Sequence, residues 1–165
     1  MQLETQRLKL VQLTTKQLHL WLESIPHLTD EIECFYPGGM LEGKFKEMVA
    51  NQLEMATTDK ENAQWHTFWF LVRRVDKMVI GAVNFKNAPN EAGEVAIGYD
   101  LGKTFEGQGY MEEAVAAMCQ WAKGQQGVQA VVAETELANI DKETLLQKCG
   151  FKAESKNTKV IRWRL

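Results

Sequence analysis

The sequence predicts a mixed α/β domain that occupies residues 1–165. Apolar residues recur at every second position in some segments and at helical spacing in others. These segments follow one another in the order β-α-α-β-β-β-α-β-α-β, which is typical of helices packed on a sheet. Apolar residues make up 45% of the 165 residues, enough for one sizeable core. No repeat, linker or low-complexity tract divides the chain, so one domain is expected.

The N-terminal third is predicted to contain one strand and two helices. Polar and apolar residues alternate at the start of the chain, which indicates a strand. Thr14 and Gln17 have the spacing of a capping box at a helix start, and Pro26 is expected to end that helix. The predicted elements are a strand at 7–13 and helices at 14–24 and 41–56.

The remainder of the chain is predicted to form five strands and two helices. The helix at 109–123 is apolar almost all round, so it is expected to lie buried against the sheet. Gly150 is expected to end the last helix in a left-handed conformation. The strands are predicted at 67–75, 79–85, 94–101, 128–133 (with a possible extension to 136) and 159–165, and the second helix at 141–148. Within strand 94–101, one face carries Glu94, Ala96, Gly98 and Asp100, and the other Val95, Ile97, Tyr99 and Leu101.

Composition narrows the classes of function. The net charge of −3 disfavours a nucleic-acid binder that relies on bulk electrostatics and a polybasic membrane binder. The longest apolar run is too short to span a membrane, and the polar N-terminus does not resemble a signal peptide. The three cysteines lack metal-ligand spacing, so free thiols, no metal and a cytoplasmic location are expected.

The segment 98–115 reads as a strand, a glycine loop and a helix start. Gly107 and Gly109 allow bare backbone N–H groups to approach a ligand, and the helix adds its own unpaired N–H groups, an arrangement that binds phosphate. A dinucleotide-binding loop would need a third glycine where this chain has Glu112. A phosphate-binding NTPase loop would need glycine at Ile97. A different nucleotide-bearing cofactor is therefore indicated.

Strand, loop and helix together resemble the acyl-CoA motif of the GNAT family of N-acetyltransferases, in particular its ribosomal-protein alanine acetyltransferase-like branch. The segment 98–115 aligns without a gap to that branch's pattern of Gly-Tyr-x-Leu, a variable stretch, Gly-x-Gly-Tyr and Glu-Ala. The segment 139–151, from an Asn to Lys-x-Gly-Phe, resembles the second CoA motif, and 3–10 resembles the opening strand. The resemblance implies a GNAT fold, with a mixed and mostly antiparallel central sheet flanked by helices.

The resemblance also implies where acetyl-CoA would bind. The pantetheine arm would lie between the strand that ends at Leu101 and the strand from Val128, and would pair with the backbone of Tyr99 and Leu101. Asn139 would bond the pantetheine chain, and Lys142 would contact a phosphate or face solvent. The pyrophosphate would be held by the N–H groups of Glu106, Gly107, Gln108, Gly109, Tyr110 and Met111.

The expected reaction is direct attack of a primary amine, on a protein N-terminus or a small molecule, on the acetyl thioester. Many relatives have a catalytic Glu at the position of Ala96 and a Tyr at the position of Leu146. Glu94, two residues earlier on the same face, is the first candidate base, and Glu134 the second. Because both family residues are missing, a CoA-binding module without catalysis is the alternative. A homodimer is compatible with the family. Trp65, His66, Phe68, Phe35 and Tyr36 are the residues expected to line an acceptor pocket.

Overall fold

One eight-stranded sheet runs through the protein, seen in a computed structural model that describes residues 1–165. The strands lie in the order β1-β2-β3-β4-β5-β6-β8-β7. They are Gln2–Glu4 (β1), Leu8–Gln12 (β2), Phe68–Arg73 (β3), Met78–Phe85 (β4), Glu94–Leu101 (β5), Ala130–Glu136 (β6), Lys152–Lys156 (β7) and Val160–Arg164 (β8). The helices are Thr15–Glu23 (α1), Ile25–Ile32 (α2), Gly43–Thr58 (α3), Tyr110–Lys123 (α4) and Ile140–Lys148 (α5).

Every neighbouring pair of strands is antiparallel except β5 and β6, which run parallel. The long connection between these two strands contains α4, as a parallel crossover requires. The predicted mixed, mostly antiparallel sheet is therefore confirmed.

Two hydrophobic clusters cover the two faces of the sheet. The cluster on one face joins α4 and α5 to residues such as Val95 and Ile97 of β5, and Met118 and Leu146 lie in it without solvent exposure. The cluster on the other face joins α1, α2 and α3 to β3, and Trp21 packs there edge-on against Phe68 and Phe70. Within β5, the side chains of Val95 and Ile97 therefore lie on the sheet face that packs against α4.

Local signals set most helix boundaries as predicted. The Thr14 side chain accepts a hydrogen bond from the Gln17 N–H at 3.2 Å, and the Gln17 side chain accepts one from the Thr14 N–H at 3.0 Å. Together these two bonds form the capping box of α1. Gly150 has φ +92° after α5, and the Phe151 N–H donates to the Leu146 carbonyl at 2.9 Å. Seven buried residues of α4 confirm that it packs against the sheet, as its apolar sequence predicts.

Three elements differ from the sequence prediction. Helix α2 was not predicted, because Pro26 was expected only to end the helix at 14–24; it lies in the first turn of α2, where proline lacks only an N–H that the turn leaves unpaired anyway. Strands β1 and β7 were not predicted. β1 alternates but has only three residues, too few to mark a strand, and β7 is exposed at every position, so it lacks the burial alternation of a half-buried strand.

Candidate active site

The sheet opens between β5 and β6. Their parallel ladder covers only three pairs, from Glu94 with Ala130 to Ala96 with Val132. Beyond Ala96, β5 continues along β4 as far as Leu101, and β6 continues along β8. The two strands therefore diverge and leave a gap in the middle of the sheet, which we call the β5–β6 opening (residues 97–101 and 133–136).

Backbone groups of β5 face this opening. On the β4 side, the Ala96 carbonyl accepts from the Lys86 N–H at 2.8 Å, and the Gly102 N–H donates to the Ile80 carbonyl at 2.9 Å. Because peptide groups alternate in direction along a strand, Tyr99 and Leu101 direct their N–H and C=O groups to the opposite side. The structure thus leaves the backbone of Tyr99 and Leu101 without a strand partner at the opening.

The glycine loop lies between the end of β5 and the first turn of α4. Gly107 and Gly109 have φ of +74° and +79°, and a Cβ at Gly107 would meet no atom within 4 Å. Gly109 is the N-cap of α4, and no side chain caps the helix start. Tyr110 and Met111 bury their side chains in the core, so they offer only their N–H groups. Glu106 and Gln108 are exposed in the same loop.

The N-terminus of α5 stands across the opening from Tyr99. The Asn139 side chain accepts from the Lys142 N–H at 3.3 Å, so Asn139 is the N-cap of α5, while its Nδ2 makes no hydrogen bond. The Lys142 Nζ lies 5.7 Å from the centre of the Tyr99 ring. Burial, with a smaller effect from Cys149, raises the pKa of Tyr99 to about 12, so its phenol is uncharged at neutral pH. The fold thus brings the two predicted CoA motifs together.

Glu94, the first candidate base, is held in ion pairs at the far end of β5. Its carboxylate accepts from Arg164 and from Arg162, the latter at 2.7 Å. The hydrogen bond from Arg164, followed by that from Arg162, lowers the pKa of Glu94 although burial opposes the shift. Such a carboxylate is a weak base that would have to leave two guanidinium groups to take a proton. The geometry therefore gives Glu94 a role in joining β5 to β8.

Glu134, the second candidate, lies in the part of β6 that has diverged from β5. It is exposed and makes neither a hydrogen bond nor an ion pair. Val132 and Glu134 are two residues apart and share the sheet face opposite α4, as do Ala96 and Asp100 of β5. The structure thus places two unpaired carboxylates, those of Glu134 and Asp100, on one face beside the opening.

The expected acceptor pocket is mostly core. Trp65, His66 and Phe68 are each 2% exposed, and Phe35 is exposed on the surface, so these four do not line a pocket together. Tyr36 differs from these four residues because it is half-buried. Its hydroxyl accepts from the Trp21 Nε1 at 3.0 Å, and burial, together with the nearby charge of Asp100, raises the pKa of Tyr36.

Sequence reasoning missed Asp100 as a site residue, although the alternation of β5 had placed it on the Glu94 face. It also missed Arg7, whose guanidinium contacts the glycine loop from the N-terminal part of the chain. No sequence spacing could have indicated that contact, because it depends on how the first strands pack against α4. No group of three or more metal-binding side chains is present, and none of the helices is long and apolar enough to cross a membrane.

Comparison with known proteins identifies the family of the chain. The acetyltransferase (GNAT) domain family matches residues 7–152. The [ribosomal protein uS5]-alanine N-acetyltransferase of Escherichia coli is 27% identical over 127 residues, which are 76% of this chain and 59% of that protein. An uncharacterized N-acetyltransferase of Bacillus subtilis, YjdG, is 27% identical over 95 residues, which are 58% of this chain and 56% of that protein. The chain thus spans between 56% and 59% of the length of these relatives.

Solved structures share the fold. The ribosomal-protein-S5-alanine acetyltransferase from Vibrio fischeri superposes with a TM-score of 0.69 at 15% identity, over 100% of this chain and 96% of that one. RimL, a ribosomal L7/L12 α-N-protein acetyltransferase in complex with coenzyme A, superposes with a TM-score of 0.64 at 14% identity, over 98% and 94%. The resemblance read from the sequence is confirmed, and the chain belongs to the GNAT acetyltransferase family.

Proposed function

We propose that this protein transfers the acetyl group of acetyl-CoA to a primary amine by direct attack in a ternary complex. The observation that carries the proposal is the β5–β6 opening, which lies beside the uncapped N-terminus of α4 and its two left-handed glycines. A gap edged by free backbone groups suits an amide-containing arm, and a bare helix N-terminus suits a pyrophosphate.

The residues around the opening fit the parts of acetyl-CoA. The N–H groups from Glu106 to Met111 would hold the pyrophosphate, because no side chain occupies the start of α4. The backbone of Tyr99 and Leu101 would pair with the pantetheine arm, and the free Nδ2 of Asn139 would donate to it. Lys142 projects over Tyr99, where it can cover the arm or reach a phosphate. Acetyl-CoA supplies an activated acyl group whose thiolate is a good leaving group.

The acceptor amine must lose a proton to react, since the ordinary pKa of an ammonium group is about 8 at a protein N-terminus and about 10 on an alkyl chain. Within this proposal Glu134 is the better placed base, because it lies at the opening and has no competing partner. Glu94 remains the alternative, through water, but its two arginine partners oppose that role. A backbone N–H near Leu101 would polarise the thioester oxygen.

The acceptor is either a protein N-terminal amine or a small-molecule amine, and the name of the Escherichia coli relative specifies an alanine of ribosomal protein uS5. Asp100 and Tyr36 on the face opposite α4 support an acceptor that approaches from that side, since a carboxylate attracts an ammonium group. Four statements remain predictions from the sequence: that residues 1–165 act as one domain, that the protein is cytoplasmic, that it forms a homodimer, and that it has no nucleic-acid or membrane partner.

The test is amine-dependent release of the CoA thiol from acetyl-CoA by the purified protein. A panel of peptides with free N-termini and of small amines is supplied, and N-terminally blocked peptides serve as controls. Thiol release that requires a free amine supports the proposal. Acetyl-CoA binding without release, whatever the amine, would favour the CoA-binding module that the missing Glu at Ala96 and the missing Tyr at Leu146 suggested.

A further inference from the structure

Arg7 joins the turn between β1 and β2 to the glycine loop, across about a hundred residues of chain. Its Nη1 donates to the Gln108 carbonyl at 2.8 Å, and its Nε donates to Glu113 at 2.8 Å. The guanidinium also lies 4.3 Å from the centre of the Tyr110 ring. We propose that Arg7 is a positioning residue for the pyrophosphate of acetyl-CoA, acting through the loop without touching the ligand.

The direction of the Gln108–Gly109 peptide supports this role. Its C=O and N–H belong to one planar trans unit and point in opposite directions. Because Arg7 binds the carbonyl, the Gly109 N–H points away from Arg7, and we infer that an anion would bind on that side. Gly109 has φ +79° and no side chain to restrict it, so an external contact is needed to hold this peptide in one orientation.

The charge of Glu113 independently supports the positioning role of Arg7. This carboxylate lies in the first turn of α4, next to the proposed anion site, with 17% of its side chain exposed. It accepts from the Thr5 hydroxyl, from the Arg7 backbone N–H at 2.7 Å and from the Arg7 side chain. The guanidinium neutralises it. Without Arg7, a negative charge would remain close to the phosphates and repel them.

This inference rests on the proposed function, so wild-type binding of acetyl-CoA is measured first by calorimetry. Absence of wild-type binding would refute the function itself. Arg7→Met is then compared with Arg74→Met, a matched control, since Arg74 donates to the Thr5 carbonyl of the same turn at 2.9 Å but does not contact the loop. We expect Arg7→Met to weaken acetyl-CoA binding about tenfold, the effect typical of losing a partner that orients a ligand-binding group. Arg74→Met should bind like wild type.

A truncated donor separates positioning from general damage. S-acetylpantetheine carries the thioester and the arm but no pyrophosphate. We expect Arg7→Met to lower kcat/KM about tenfold with acetyl-CoA and to leave it unchanged with S-acetylpantetheine. Equal losses with both donors, unchanged acetyl-CoA binding, or an equal loss in Arg74→Met would each overturn the inference.

Arg7→Lys keeps the test decisive if Arg7→Met folds poorly, and a double variant tests the charge of Glu113 where Arg7→Met does fold. Arg7→Lys retains the charge but cannot bond Gln108 and Glu113 in the same fork geometry, so a smaller loss, again confined to acetyl-CoA, is expected. Addition of Glu113→Gln to Arg7→Met should restore part of the affinity and weaken its dependence on salt, because the uncompensated charge is removed. Lack of any loss in Arg7→Lys and of any recovery in the double variant would show that Arg7 supports the fold alone.

Discussion

Substitution of Gly107 by alanine tests whether backbone N–H groups of the loop bind the cofactor. Gly107 has φ +74°, and the added methyl group would meet no protein atom within 4 Å. Gly43, at the start of α3 and away from the opening, has φ +58° and equally empty surroundings. Gly107→Ala and Gly43→Ala therefore impose the same kind of backbone strain, but only the first places a methyl group in the proposed phosphate site.

The expected loss of stability is small and similar for the two variants. A left-handed conformation costs an L-residue about 1–2 kcal/mol, and the reduced entropy of the unfolded chain returns about 0.4–1 kcal/mol. For a chain of 165 residues, 1 kcal/mol changes Tm by about 2–4 °C. Acetyl-CoA at 100 times its Kd should stabilise the wild type by about 2.7 kcal/mol, which by the same proportion is roughly 5–11 °C.

Thermal unfolding with and without acetyl-CoA distinguishes the two effects. We expect both variants to melt a few degrees below wild type without ligand. Gly43→Ala should keep the full ligand-induced increase in Tm, whereas Gly107→Ala should lose most of it, because the methyl group keeps the phosphate from the N–H groups. A full increase in Gly107→Ala would refute the assignment of the loop to pyrophosphate binding.

Three further predictions concern the carboxylates and the α5 cap. Glu134→Gln should lower kcat by roughly 10²–10⁴ with acetyl-CoA affinity retained, whereas Glu94→Gln should leave kcat close to wild type; the reverse pattern in steady-state kinetics would make Glu94 the base. Because ion pairing lowers the pKa of Glu94, its stabilisation is present above the ordinary carboxyl pKa and is lost as pH falls through the lowered value. Tm measured in acid should therefore fall less steeply in Glu94→Gln than in wild type. Asn139→Ala and Thr14→Ala each remove a helix N-cap, at a cost of about 1 kcal/mol, but calorimetry should show weaker acetyl-CoA binding only for Asn139→Ala.

Most of the fold could be predicted because periodicity and caps act locally. The capping box at Thr14 and the glycine after α5 depend on residues a few positions apart, so sequence spacing was sufficient. Strand β7 could not be predicted, since it is an edge strand whose side chains are all exposed and whose position depends on pairing with β8. Pro26 was misread because the same residue is acceptable after one helix and in the first turn of the next.

The glycine loop before α4 could be predicted for the same reason. The surroundings of the two candidate carboxylates, Glu94 and Glu134, could not. Glu94 was ranked first from its distance along the strand to the position that carries Glu in relatives. The sequence could not show that Arg162 and Arg164, which follow Glu94 by 68 and 70 residues, would lie beside it on β8. Nor could it show where β5 and β6 separate, which is what leaves Glu134 free.

The point of separation also explains why one strand carries residues with such different roles. Up to Ala96, β5 has neighbours on both sides, and polar groups there are satisfied by the sheet and by β8. Beyond Ala96 it has a neighbour only on the β4 side, so the backbone of Tyr99 lacks a strand partner, and the carboxylate of Asp100 is exposed beside it. Unpaired groups in the interior of a sheet are costly unless something binds them. The free energy given up by ending the ladder after three pairs therefore supports our proposal that a ligand binds in the opening.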